Sequence, residues 1–303
     1  MEFLYLLEKI RMPGLNEFME IITHLGAETA FLVTALIIFW CVNKRQGYYI
    51  LSVGFVGTIF NQFLKLWFRV PRPFELDPNF KCLPAAYEGA TGFSFPSGHT
   101  QSSVGTFGGI ANSTKNKWVR AIGISIAILV PLSRMYVGVH TPKDVLVAAA
   151  IAVVLIVTFK PIVYGNDGKN MPILLAAMSL IAVAYLCFVE LYEFPEEVNY
   201  ERLESGVESA YTLLGALLGM LVVYFADEKW LRFSTKAVWW AQVLKVVLGL
   251  LVVLAVKEGL RTPLNLLFAE KVGRLVRYFL VVVVAGIVWP LSFKYFGKLG
   301  HKE

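Results

Sequence analysis

Apolar residues in this chain gather into long runs separated by short polar stretches. Nine runs predict membrane-spanning helices: Phe18–Val42, Gly47–Phe68, Ser97–Ser113, Trp118–Ser133, Asp144–Pro161, Pro172–Val189, Val207–Phe225, Gln242–Glu258 and Arg277–Phe296. Most approach or exceed the roughly 20 residues that carry a helix across the hydrocarbon core. The run Ser97–Ser113 is small and polar instead. Gly98, Ser102, Gly105 and Gly109 recur at helical spacing, which predicts a face without bulk that lets neighbouring helices approach closely inside a bundle. Residues 1–12 carry apolar groups at helical spacing with charges opposite, a pattern that fits an interfacial helix or an ordinary packed one. Residues 262–274 read as a second short interfacial helix. The expected fold is all-α, a polytopic membrane helical bundle of about nine transmembrane helices.

Composition supports the same solvent. Of the 303 residues, 57% are hydrophobic and 17% charged, against about 45–50% and about 25% in a soluble domain. The net charge of +6 would raise nucleic acid as a partner in a soluble protein. Here the basic residues sit in short loops, so no nucleic-acid partner is expected and the charge orients the chain. One set of alternate loops holds Lys44, Arg45, Lys115, Lys117, Arg120, Lys169, Lys229, Arg232 and Lys236, and the opposite set includes the acidic stretch 190–208. The first set is expected in the cytoplasm. The loops 70–96 and 134–143 then face outward together. The N-terminus lacks a basic start, so no cleavable signal is expected. Cys41, Cys82 and Cys187 follow no metal-ligand spacing. No metal and no cofactor is expected, and the sequence leaves the oligomeric state open.

Three segments carry chemistry: Lys65 to Arg72-Pro73, Pro96-Ser97-Gly98-His99, and Ser133-Arg134 through His140 to Asp144. The predicted topology puts them at the outer ends of the second to fifth spans. Lys65, Arg72 and Arg134 then offer three cations to a phosphate ester, which carries about two negative charges at pH 7. Arginine meets phosphate oxygens with paired donors, and lysine adds a point charge. Ser97 and Gly98 open a helix, whose first N–H groups suit an anion. His140 stands just before Thr141-Pro142, at the mouth of the fifth span. Asp144 is four residues on. It can fix the imidazole's tautomer, leaving the other nitrogen as a nucleophile, although Thr141-x-x-Asp144 is also a capping-box pattern. His99 can serve as the acid and base.

These segments, Lys-x6-Arg-Pro, Pro-Ser-Gly-His and Ser-Arg-x5-His-x3-Asp, resemble the signature of the type 2 phosphatidic acid phosphatase (PAP2) superfamily over about residues 60–145. The resemblance implies a metal-independent phosphatase or diphosphatase. In it His140 is the nucleophile, Asp144 its orienter and His99 the acid/base; Lys65, Arg72, Ser97, Gly98 and Arg134 hold phosphate. It implies two parts, a catalytic core at 1–165 and additional transmembrane helices of unassigned role at 166–303. The outward N-terminus and span count look like the glucose-6-phosphatase and sphingosine-phosphate phosphatase branches. The expected partners are a lipid phosphate (phosphatidic acid, a sphingosine 1-phosphate-like lipid or a polyprenyl diphosphate) and the bilayer itself. The expected place is the bacterial cytoplasmic membrane, with the active site on its outer, non-cytoplasmic face.

Three alternatives stand beside this reading. They are a phosphatase for a soluble sugar phosphate, a vanadate haloperoxidase sharing the signature, and a non-hydrolytic transporter of a phospholipid carrier. Asn61, Gln62 and Lys245 read as polar groups facing the bundle, and the Gly215–Gly219 pair as helix packing.

Overall fold

The computed structural model describes residues 1–299 apart from 91, 196 and 197. Among the described residues every regular element is helical. Seven helices are long and apolar enough to cross a membrane, and a helix pair bent by 56°, Pro13–His24 with Glu28–Val42, makes up to eight. The chain is a multi-pass integral membrane protein. The small-residue run expected as the third of the nine spans, Ser97–Ser113, is helical but short: α-helix, π-type turn and α-helix of six, five and five residues. At 1.5 Å per residue that path rises about 24 Å, less than the roughly 30 Å hydrocarbon core.

Two compact units divide the chain. The first comprises Met1–Thr34, Tyr49–Pro161 and Pro195–Gly206. It contains helices α1 (Glu2–Lys9), α2 (Pro13–His24) and most of α3 (Glu28–Ile37) and α4 (Lys44–Phe68). The short helices α5 (Pro73–Leu76) and α6 (Pro84–Glu88) lie in the loop after α4. Next come α7 (Gly98–Ser103) and α8 (Gly109–Ser113), then α9 (Lys117–Tyr136) and nearly all of α10 (Pro142–Tyr164).

Glycines set how closely these helices pack. Along α7 and α8 the small residues face α4 in antiparallel order. A Cβ built at Gly98 would lie 3.7 Å from Asn61 Oδ1, one at Gly105 3.2 Å from Val53, and one at Gly109 2.8 Å from Ile50. The close helix approach expected of this face is therefore made against α4. On the other side α9 packs against α1, α2, α7 and α8, with Gly123 tight against the Phe107 carbonyl.

Polar ties gather the loops at one end of this unit. Ser94 N donates to Val70 O, Leu83 N to Val137 O, and Ser97 N to Asp144 O. Arg11 donates to the carbonyls of Lys81 and Tyr136. The N-terminal helix α1 packs through its fully buried Leu4, which joins Phe80, Met135 and Val145; Phe3 and Leu6 remain exposed. Gly138, at φ +90°, makes the turn between α9 and α10, where a side chain would meet Arg11, Phe80 and Cys82.

The second unit comprises Ala35–Tyr48, Ile162–Phe194 and Val207–Glu303. Its helices are α11 (Met171–Leu191), most of α12 (Tyr200–Ala226), α13 (Trp239–Gly259), α14 (Arg261–Leu267) and α15 (Glu270–Val283), and a last turn, α16, covers Phe293–Phe296. Gly215 and Gly219 press α12 against α15, at the Leu275 carbonyl and at Phe279 and Val282. Trp40 Nε1 donates to Ala285 O, and Lys44 pairs with buried Asp227 at 2.6 Å. Lys245 is fully buried. Its ammonium donates to Thr235 O and sits 4.5 Å from the Phe293 ring centroid, which satisfies the charge inside an apolar helix.

Gly26, between α2 and α3, offers a direct test of the packing. A Cβ there would sit 2.7 Å from Val130 Cγ1 and 2.8 Å from the His99 carbonyl. Since a backbone atom cannot easily give way, Gly26→Val is expected to destabilise by about 1–3 kcal/mol, read as a lowered thermal midpoint in detergent.

Candidate active site

The loop end of the first unit encloses a cavity of about 260 Å³ whose wall includes Lys65, Arg72, Gly98, His99, Arg134 and His140. Five stretches of chain deliver these side chains. Lys65 lies one turn before the end of α4, which Arg69 terminates in the left-handed region at φ +49° ahead of Pro71. Arg72 precedes Pro73, the first residue of α5. His99 sits in the first turn of α7, and Arg134 in the last turn of α9. His140 falls in the loop before α10.

The two arginines are held from behind. Arg72 is buried, donates from Nε to Gly92 O at 2.8 Å and from Nη1 to Val139 O at 3.0 Å, and reaches His140 Nε2 at 2.9 Å. Its own amide donates to Glu75 Oε2 at 2.6 Å. Arg134 is buried and donates from Nη1 to Thr23 Oγ1 at 2.7 Å. Its Nε finds no partner among the protein atoms. Lys65 Nζ stands 4.0 Å from a Cβ built at Gly98 and 3.5 Å from one at Gly92. Those are ordinary contacts, so protein packing does not demand glycine at either place. The room they leave belongs to the cavity beside the ammonium.

Asp144 and Ser97 do not line the cavity. Asp144 Oδ2 accepts from Thr141 N at 2.8 Å and from Ser94 Oγ at 2.6 Å, and Asp144 N donates back to Thr141 Oγ1 at 3.4 Å. That is a capping box on α10. The same oxygen lies 3.5 Å from His140 Nδ1, at the outer limit of hydrogen bonding. The carboxylate is thus a cap that also faces the ring. Ser97 caps α7: its Oγ accepts from Thr100 N and Thr100 Oγ1, and the residue is fully buried.

Several neighbours escaped the sequence reading. Thr23 and Ser94 are remote polar residues without periodic signal. Asn61 read as a bundle-facing group, yet it lines this cavity, with Nδ2 buried and unpartnered by protein atoms. It lies four residues before Lys65, on the same face of α4. Ser102 Oγ is in the same condition on the α7 side. A buried donor without an acceptor costs about 1–3 kcal/mol. Three such donors on one polar wall, with three cations, make a cavity built for an anion with several oxygens. Among the described residues no group of three or more His, Cys, Asp and Glu side chains is placed to hold a metal ion.

A buried cationic cradle with two imidazoles on a polytopic helical frame defines a phosphate-handling membrane protein. Comparison with known proteins gives the family. The PAP2 superfamily matches residues 45–167, and the transmembrane extension of PAP2 superfamily phosphatases matches residues 211–302. The chain is 36% identical over 150 residues to phosphatidylglycerophosphatase B of Bacillus subtilis, covering 45% of this chain and 70% of that one. It is 30% identical over 147 residues to undecaprenyl-diphosphatase of Sulfolobus acidocaldarius, covering 48% and 69%. A longer similarity, 23% over 256 residues, is to sphingosine-1-phosphate phosphatase 1 of Mus musculus and covers 78% and 57%. No solved structure matches. The chain belongs to the PAP2 superfamily and is a phosphoric ester hydrolase.

The surroundings of His140 have a consequence for pH. Burial, followed by the charges of Arg72, Arg134 and Lys65, holds its pKa well below the ordinary imidazole range. An unfolded chain would take up a proton near pH 6.5 that the folded ring refuses. Stability from this group is complete above about pH 6.5 and falls as pH drops below it, by up to about 1.4 kcal/mol per unit. The wild-type thermal midpoint is expected to fall more steeply between pH 7 and 5 than that of His140→Gln. Parallel curves would remove this account.

Proposed function

We propose that this chain hydrolyses the phosphate of a membrane lipid at the outer face of a bacterial cytoplasmic membrane, by way of a phosphohistidine at His140. The observation that carries the reading is the single cavity shared by two imidazoles and three cations. His140 Nε2, which Arg72 Nη1 meets at 2.9 Å in this structure, attacks phosphorus once that guanidinium turns to the phosphate oxygens, while Nδ1 faces Asp144. The bond from phosphorus to the lipid oxygen breaks, and that oxygen leaves with the electron pair and takes a proton from His99. A water molecule then gives its proton to His99 and attacks the phosphohistidine. The P–N bond breaks, inorganic phosphate departs, and both imidazoles return to their starting state. Lys65, Arg72 and Arg134 balance the charge on the equatorial oxygens, where preorganised donors count most. Asn61 Nδ2, Ser102 Oγ and the backbone at Gly98 supply further donors. Ser97 acts by capping the helix that carries Gly98 and His99.

Support for a lipid comes from the position of the site, at the ends of membrane-spanning helices, where a head group can enter while its chain stays in the bilayer. The relatives' names include a phosphatidylglycerophosphatase, an undecaprenyl-diphosphatase and a sphingosine-1-phosphate phosphatase. Basic loops at the other ends of the same spans support an outward site.

Phosphate release is to be measured from phosphatidylglycerophosphate, a polyprenyl diphosphate, sphingosine 1-phosphate and glucose 6-phosphate in parallel. Turnover of one or more lipids, with little of the sugar, is expected; preference for the sugar would overturn the lipid assignment. His140→Ala is expected to lower kcat/KM by at least about 10³-fold, with loss of the acid-labile, base-stable label that radiolabelled substrate leaves on the wild type. Asn61→Ala is expected to lower kcat/KM by about tenfold, the worth of one hydrogen bond to a charged group, without lowering the thermal midpoint. EDTA is expected to leave turnover unchanged.

A further inference from the structure

The short segment Pro195–Gly206 leads into α12, far along the chain from the three signature segments, yet it belongs to the compact unit that holds the cavity. Asn199 Oδ1 accepts from Arg202 N at 3.1 Å and so fixes the start of that helix. Gly206 lies against Leu66, where a Cβ would come within 2.7 Å of Leu66 Cδ1. Between them Arg202 reaches across to the cradle. Its guanidinium meets Glu75 with two nitrogens, Nη2 to Oε1 at 2.5 Å and Nη1 to Oε2 at 3.3 Å. It also stands 5.2 Å from the centroid of the Phe93 ring.

Both contacts fall on what holds Arg72. Glu75 Oε2 accepts the Arg72 amide, and the Gly92 carbonyl, adjacent to Phe93, accepts Arg72 Nε. Arg72 therefore sits between two strips of chain, and one remote guanidinium grips both. We propose that Arg202 is a positioning residue for the phosphate cradle: it clamps Glu75 to Phe93 and thereby fixes Arg72 in the cavity wall. The pair adds little as a source of stability. Glu75 is a third exposed, and such pairs are worth about 0.2–1 kcal/mol. Its leverage lies in geometry, because a misplacement of about 1 Å at a reacting centre can cost about 10²-fold in rate. Arginine suits the place because its planar fork meets the carboxylate with two donors while its face lies toward the ring.

The inference rests on the phosphatase reading, and its test separates the two. Full-length protein in detergent is compared as wild type, Arg202→Ala, Arg202→Lys, Glu75→Gln and Arg202→Ala with Glu75→Gln. The measurements are kcat/KM on the best lipid phosphate, the inhibition constant of orthovanadate (a mimic of five-coordinate phosphorus) and the thermal midpoint. Arg202→Ala is expected to lose about tenfold in kcat/KM and to weaken vanadate by a similar factor, with Arg202→Lys recovering part of both. Adding Glu75→Gln to Arg202→Ala is expected to cost less than about twofold more, since the two act on one path. If Arg202→Ala lowers the thermal midpoint, Arg202→Lys and Glu75→Gln carry the comparison. Wild-type kcat/KM and vanadate inhibition in Arg202→Ala, or fully additive losses in the double variant, would overturn the clamp. A wild type that releases phosphate from no ester would instead sink the phosphatase reading. In that event calorimetric binding of inorganic phosphate, weaker in Arg202→Ala than in wild type, still decides the clamp.

Discussion

Bringing three cations to one buried cavity is the constraint on which the rest of this structure depends. Like charges repel, and burial strips the water that would screen them. Lys65, Arg72 and Arg134 line a common wall, so the frame must hold them against their mutual repulsion. For the two arginines it does so with neutral acceptors behind the charges. Arg72 rests on the carbonyls of Gly92 and Val139, and Arg134 on the Thr23 hydroxyl. Of the nearby carboxylates, Glu28 lies on the cavity lining, while Asp144 is engaged by Thr141 and Ser94. The stability forgone locally is supplied by packing elsewhere, and the unspent positive potential is what an anionic transition state can use.

That packing explains why the region of the site is poor in bulky side chains. Gly105 and Gly109 let this helical path lie against α4, and Gly26 and Gly123 let α9 and the turn before α3 close from the other side. Backbones at such separation hold His99 and Lys65 to one wall with little freedom. The stripe also makes that helical path too short and too polar to face lipid. It behaves as an internal wedge within its unit, flanked by helices on both sides.

The parts of the site legible in the sequence were those bound by local chemistry. Lys65 to Arg72, Ser97 to His99, and Arg134 to Asp144 each span less than three helical turns, so their spacing reports their geometry. The helical, membrane-embedded class was equally legible, because apolar runs need no partner to be recognised. What the sequence withheld was set by tertiary contact. Thr23, Ser94 and Arg202 are ordinary polar residues until the fold brings them to Arg134, Asp144 and Glu75. Asn61 looked like any polar group on a bundle face. The bend between α2 and α3, and the interruption of α7 and α8 by a π-type turn, leave no mark in hydropathy. The count of nine runs against seven long helices, or eight with the bent pair, follows from those two features.

Asp144 illustrates why a motif residue can carry two readings at once. A capping box requires a carboxylate at the third position of a helix, turned back toward the chain before it. In this chain His140 is in that preceding stretch, so the geometry that caps α10 also delivers a carboxylate oxygen to the imidazole's Nδ1 side. The 3.5 Å separation reflects that the oxygen is already met by two donors. Its negative charge nonetheless acts through space on whatever positive charge develops on the ring, and in a buried site such an interaction is weakly screened. The helix start thus fixes a carboxylate that faces the ring on one side, and Arg72 meets the ring on the other.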